Sequence, residues 1–142
     1  MGMDLGDFHE DWCKIVDKGM RDYSSLTSPE RVWFNIQVLV SMAQNGGLCS
    51  YFVEGTVEHV LETMEDLRLL GANEMVCILE KMSSLFPNGR PCKEISDRMD
   101  VMTGWRGKHR KLLDILNKEF YQRDDELEKE LVEYIIENKL SS

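Results

Sequence analysis

The 142-residue sequence holds three histidines and three prolines, no CxxC pair among its four cysteines, and no run approaching 18 apolar residues. Each shortage excludes something. Without an apolar run of that length, no segment reads as a membrane-spanning helix. His9, His59 and His109 are read as scattered one to a segment, so no HExxH-type ligand set is expected on a helical face, and no metal or cofactor is assigned. Cys13, Cys49, Cys77 and Cys92 are widely spaced, and the stretch from Met1 to Asp7 lacks the basic-then-apolar order of a secretory signal. Reduced thiols packed as small hydrophobes, and a cytoplasmic address, are the expectation.

Basic charge is also short. Against 26 Asp and Glu stand 17 Lys and Arg, giving a net charge of −9 and an isoelectric point near 4.8. Such a field repels nucleic acid and anionic membranes over about one Debye length and favours basic partners. Direct nucleic-acid binding and membrane binding are therefore not expected. The phosphate-cradling patterns are missing too, because Asn45-Gly46-Gly47 has neither the GxGxxG nor the GxxxxGK[ST] spacing. Carboxylates are too numerous for a glycosidase-type pair to be singled out. No catalytic residue is assigned.

Apolar content of 42% is present in helical periodicity, enough for a packed core in one domain spanning residues 1–142. A first helix is predicted from Asp7 to about Lys18, with Gly19 as its stop. Ser28-Pro29 opens a second, since serine can cap free amides and proline at the first helical position gives up an amide that had no partner. Its wide apolar face, from Val32 and Trp33 to Ala43, ends at Asn45-Gly46-Gly47, where glycine can take a positive φ. Leu48 to Phe52 reads as one or two packed turns. Thr56 caps a helix that stops at Gly71, and Asn73 opens another that Pro87 closes, the two forming a helical hairpin. A weaker helix covers Lys93 to Met102. The remainder reads as two helices, from Lys108 to Gln122 and from Asp125 to Asn138, the second opened by a capping-box-like Asp125 and Glu128. The fold class is all-α, a compact array of six to seven helices with short connections.

Acidic residues recur at helical spacing. Glu58, Glu62, Glu65 and Asp66 share one face, and Glu126, Glu130, Glu133 and Glu137 share another. Acids four apart lie about 6 Å apart along a helix axis, a spacing that could follow the phosphates of a DNA strand, while like charges at that separation cost roughly 0.2–0.5 kcal/mol per pair. These eight residues are the candidate partner-binding acids, with a solvated acidic face as the plain alternative. Against the trend, Trp105-Arg106-Gly107-Lys108-His109-Arg110-Lys111 puts basic charge at a helix N-terminus, where the macrodipole disfavours it. Pairing with the acidic last helix, within the chain or across a homodimer, is expected to compensate.

Asn45-Gly46-Gly47 followed by Tyr51-Phe52, the helix end Leu70-Gly71-Ala72, the helix end Leu85-Phe86-Pro87, then Leu112-Leu113-Asp114 and Phe120-Tyr121 resemble the signature of the bacterial DNA-mimic protein family. That family was long catalogued as a domain of unknown function. The resemblance covers residues 30–138, with Leu48-Cys49-Ser50 standing where the family usually has an aromatic and a glutamine. It implies an all-helical fold, no enzyme activity, frequent dimerisation, and an acidic surface that competes with DNA for a DNA-binding protein. It carries no functional acids over by position. Asn45, Gly46, Gly47, Tyr51 and Phe52 read physically as a cap and a packed turn. Two readings stay open: a non-enzymatic acidic module that binds a protein with a basic or DNA-binding surface, and an immunity-type or regulatory partner of one effector whose acids serve only solubility.

Overall fold

The computed structural model describes residues 3–54 and 56–141, so Met1, Gly2, Gly55 and Ser142 lie outside the described set. Among the described residues, seven helices of seven or more residues are joined by short connections, an all-α array. Helix α1 (His9–Arg21) follows a short 3-10 turn at Leu5–Phe8, whose start is closed by a reciprocal Asp4–Asp7 capping box. Helix α1 runs through Gly19 instead of stopping there. Gly19 is buried against the Phe34 ring, and a Cβ at that position would stand 2.6 Å from Phe34 Cε1. The glycine serves close packing, not termination.

Helix α2 (Ser28–Gly46) passes through the middle of the core, with Val32, Trp33, Phe34, Ile36, Leu39, Val40 and Ala43 all buried. A helix apolar on nearly every side must be surrounded by others. Its cap is Thr27, not Ser28. Glu30 N–H donates to Thr27 Oγ1 at 3.3 Å while the Glu30 carboxylate accepts the Thr27 N–H at 2.9 Å, a T-x-x-E box that leaves Pro29 in the first turn. Trp12 and Phe8 from the α1 region pack their rings on Trp33.

Gly47, at φ +80°, turns the chain directly into α3 (Leu48–Glu54), about two packed helical turns as expected, running two residues past Phe52. After a 3-10 turn at Val57–His59, α4 (Val60–Leu69) and α5 (Asn73–Ser83) form the predicted hairpin. Gly71, at φ +79°, closes α4: its own amide reaches Arg68 O at 3.0 Å and the Ala72 amide reaches Leu67 O at 2.9 Å, the paired bonds of a glycine C-terminal motif.

Helix α6 (Ile95–Thr103) starts two residues later than expected, and the single turn α7 (Trp105–Lys108) leads into α8. Arg98 of α6 is 4% exposed and faces carbonyls only. It donates to Cys92 O, Lys93 O and, at 3.0 Å, to Val53 O at the end of α3. A buried cation fits there because the last carbonyls of a helix carry partial negative charge and lack helical partners.

The two final helices of the sequence reading are one, α8 (Arg110–Glu137). Asp125 and Glu128 resemble a helix start, yet no glycine or proline precedes them, and a chain of good helix formers continues where nothing stops it. One face of α8 clasps the end of α2. Asn117 Oδ1 accepts the Leu48 N–H at 2.8 Å, Tyr121 donates to Ala43 O at 2.8 Å, and Asp124 accepts from Gln44 Nε2 at 3.2 Å. The spacings of four and three keep these residues on one side of the helix.

Gly19→Ala should destabilise the fold by about 1–2 kcal/mol, overpacking against Phe34 outweighing the gain of up to ~1 kcal/mol in helix propensity. A lower urea midpoint with an unchanged slope would show it; an unchanged or higher midpoint would mean that the ring moves aside freely.

Candidate functional site

The two acidic faces have different surroundings. Asp66 is 2% exposed and therefore does not belong to a surface stripe. Its carboxylate accepts a two-pronged bond from Arg31, Nη2 to Oδ1 at 2.7 Å and Nε to Oδ2 at 3.2 Å, and a third bond from Asn35 Nδ2 at 2.9 Å. The bond to Asp66 is the largest influence holding the Arg31 guanidinium further up in pKa. Asn35, wholly buried, also meets the Tyr23 hydroxyl, which donates to its Oδ1 at 3.1 Å. Burial pushes the Tyr23 phenol up.

The remaining acids of that face are engaged as well. Glu65 lies 3.4 Å from Arg31 Nη2. Glu58 and Glu62 flank His59, at 3.7 and 3.9 Å, and the His59 ring stacks on Tyr23 with centroids 3.5 Å apart. On this face only Asp66 is neutralised inside the molecule, while Glu58 and Glu65 stay largely exposed and Glu62 Oε2, like Glu130 Oε2, has no hydrogen-bond partner among the described residues.

The α8 acids have no such partners. Among the described residues Glu126, Glu133 and Glu137 form no ion pair, and Glu130 Oε2 has no hydrogen-bond partner. The Glu130 carboxyl is pushed up in pKa, first by burial and then by the charges of Glu126, Glu133 and Glu74. Glu128 is pushed up likewise, by burial and by Asp124. Glu74, Glu126 and Glu130 line a cleft of about 210 Å³ between the start of α5 and α8, at whose edge Arg123 approaches Glu74 to 3.9 Å. Because α8 is unbroken, Glu119, seven residues before Glu126, falls on the same line. The division into two helices had hidden it.

The signature residues hold the core. Tyr51 and Phe52 are fully buried, and burial pushes the Tyr51 phenol well up. Gly46 leaves room for Ser50, and a Cβ on Gly47 would meet Asn117 Oδ1 at 3.3 Å. Asn45 is exposed at the end of α2. Tyr121 stood out only within the family resemblance, and Asn35, Arg98, Asn117 and Asp124 did not stand out in the sequence. Their only signal there is a polar residue at a position that faces the core.

Two further corrections concern charge and histidine. The basic segment cannot pair with the acidic stripe within the chain, because Arg110 and Glu126 lie about 24 Å apart along one rigid helix. The scattered reading of the histidines also misses one pair: Cys13 Sγ and His9 Nε2, one turn apart on α1, come within 3.6 Å. Among the described residues no group of three His, Cys, Asp or Glu side chains could hold a metal ion, and no helix is long and apolar enough to cross a membrane.

An all-helical array with one acidic face beside Arg31 and His59 and another that forms no ion pair among the described residues defines an acidic scaffold whose charged surface is its main chemical feature. The chain belongs to the DMP19-like family: the profile described as DMP19-like protein matches residues 24–138. Members are small helical DNA-mimic-type proteins, a non-catalytic class. No curated protein matches the chain, and no solved structure does.

Asp66→Ala should cost about 3 kcal/mol, the low end for breaking a buried pair because Arg31 is partly exposed. Equilibrium unfolding would detect it, and a loss below about 1 kcal/mol would show that Arg31 and Asn35 find water instead. Glu130→Gln should act in the opposite direction, stabilising by about 0.5–1 kcal/mol at pH 7 by removing repulsion from Glu126 and Glu133. Since the folded-state pKa of Glu130 is raised, its ionisation costs the fold stability at neutral pH. That cost disappears as pH falls through the folded value toward the ordinary carboxyl value of 4.5. The advantage of Glu130→Gln should therefore shrink in that window, and a pH-independent advantage would contradict the assignment.

Proposed function

We propose that the chain is a cytoplasmic, non-enzymatic binding module whose α8 acids Glu126, Glu130, Glu133 and Glu137 stand in for DNA phosphates and occupy the DNA-binding surface of a regulatory protein. The supporting observation is the contrast between the two acidic faces. Arg31 binds Asp66 and approaches Glu65, and Glu58 and Glu62 lie beside His59, whereas the α8 acids are held close together and form no ion pair among the described residues. Charge kept together at a cost to the fold is charge available to a cation outside it. The four residues extend about 16 Å along one helix, and Glu119 lengthens the line to about 27 Å. A rigid helix fixes these distances as a DNA backbone fixes its own. Membership of the DMP19-like family supports the same reading.

Capture of a DNA-binding protein from the source cell provides the test. The wild-type chain should retain it, added duplex DNA should displace it, and joint replacement of the four α8 glutamates by glutamine should abolish retention. Replacing Glu58, Glu62 and Glu65 should have the smaller effect. Retention that survives the α8 replacement would leave the acids a role in solubility only and favour an effector bound by shape.

A further inference from the structure

At the opposite end of α8 the chain carries a groove of the other sign. Two adjoining cavities, of about 430 and 240 Å³, share Cys49, Arg106 and Leu113 and run between α3, α6, α7 and the start of α8. The floor is apolar. Val53, Met102, Trp105 and Leu113 line it, and Met99, 52% exposed, stands beside them. The rim is basic, with Arg106 and Arg110 facing the larger cavity.

Neither arginine has a carboxylate partner. Among the described residues Arg106, Lys108, Arg110 and Lys111 form no ion pair, although the chain has nine more acids than bases. Asp114 shares the rim one turn beyond Arg110 and is not paired with it. The unpaired amides at the start of α8 add positive potential to the same place. Four unneutralised cations within six residues, beside the exposed Met99 and the partly buried Val53 over a floor of buried Met102, Trp105 and Leu113, complement an occupant that supplies carboxylates and apolar side chains together.

We propose that this groove docks an acidic amphipathic segment of a partner protein, its apolar side chains on the Val53–Met99–Leu113 floor and its carboxylates on Arg106 and Arg110. Helix-in-groove recognition has this form, with anchors at helical spacing and charges at the rim fixing orientation. The site is independent of the DNA-mimic reading, because it lies at the far end of α8 and selects the opposite charge. The net charge of the chain makes the idea exacting, since a field of −9 repels an acidic peptide unless a local site overcomes it.

Cys49, half-buried in the groove, provides the readout. In full-length protein carrying Cys13→Ser, Cys77→Ser and Cys92→Ser, iodoacetamide labels only Cys49. The probe is a synthetic amphipathic helix with leucine on one face and glutamate flanking it, compared with the same peptide carrying glutamine. The glutamate peptide should slow labelling in a saturable manner, and the glutamine peptide should bind at least about tenfold more weakly. Arg106→Glu with Arg110→Glu should abolish protection. Lys14→Glu with Lys81→Glu, which alters net charge equally at exposed positions elsewhere, should preserve it. Met99→Asp offers a second, exposed floor variant that should also abolish protection. Equal protection by both peptides, equal loss in both pairs of reversals, or protection that grows with protein concentration without any peptide would overturn the proposal, the last by giving the groove to a second copy.

Discussion

A carboxylate taken out of water and surrounded by three donors ties the centre of this protein together. Asp66 of α4 binds Arg31 and Asn35 of α2, and Asn35 passes the connection to Tyr23 after α1. Helix α2 is apolar on almost every side, so its few polar side chains must find partners inside the protein or leave unpaired groups buried. The Asp66 cluster satisfies them at one end. At the other, Asn117, Tyr121 and Asp124 of α8 serve the amides and carbonyls around the Gly46–Gly47 junction. With α2 fixed at both ends, α8 is held in place along its length and its outward face has a defined geometry.

That geometry separates charge along α8. Cations without carboxylate partners gather at its beginning, acids without cationic partners at its end, and the helix is too long for the two groups to meet within one molecule. In water the separation is tolerable, because exposed charges are screened and each repulsion is worth only a few tenths of a kcal/mol. The same charges become effective when a partner excludes water from them. The acids of α4 differ because Arg31 and His59 already lie against them.

Much of this was legible in the sequence, for identifiable reasons. The helical periodicity of Val32 to Ala43, the stop at Gly71 and the hairpin that follows it are local signals, and the structure shows each. Ser28, Gly19 and the continuous α8 were misread because one residue admits two roles. A glycine can end a helix or make room for a ring, and Asp125 can cap a helix or simply continue one. Spacing placed the eight acids on two helical faces, but spacing carries no information about what stands opposite a face. Arg31 is 35 residues from Asp66 in sequence, so the loss of Asp66 from the surface is a tertiary fact. The Asn117–Tyr121–Asp124 side of α8 depends in the same way on α2 being its neighbour.

The central claim is that the α8 acids act as a polyanion toward a protein, and the salt dependence of binding tests it most directly. Affinity for the captured DNA-binding protein should fall linearly with the logarithm of salt concentration. Neutralising Glu126, Glu130, Glu133 and Glu137 should flatten that slope far more than neutralising Glu58, Glu62 and Glu65. A slope that is the same for wild-type and α8-neutral protein would contradict the account.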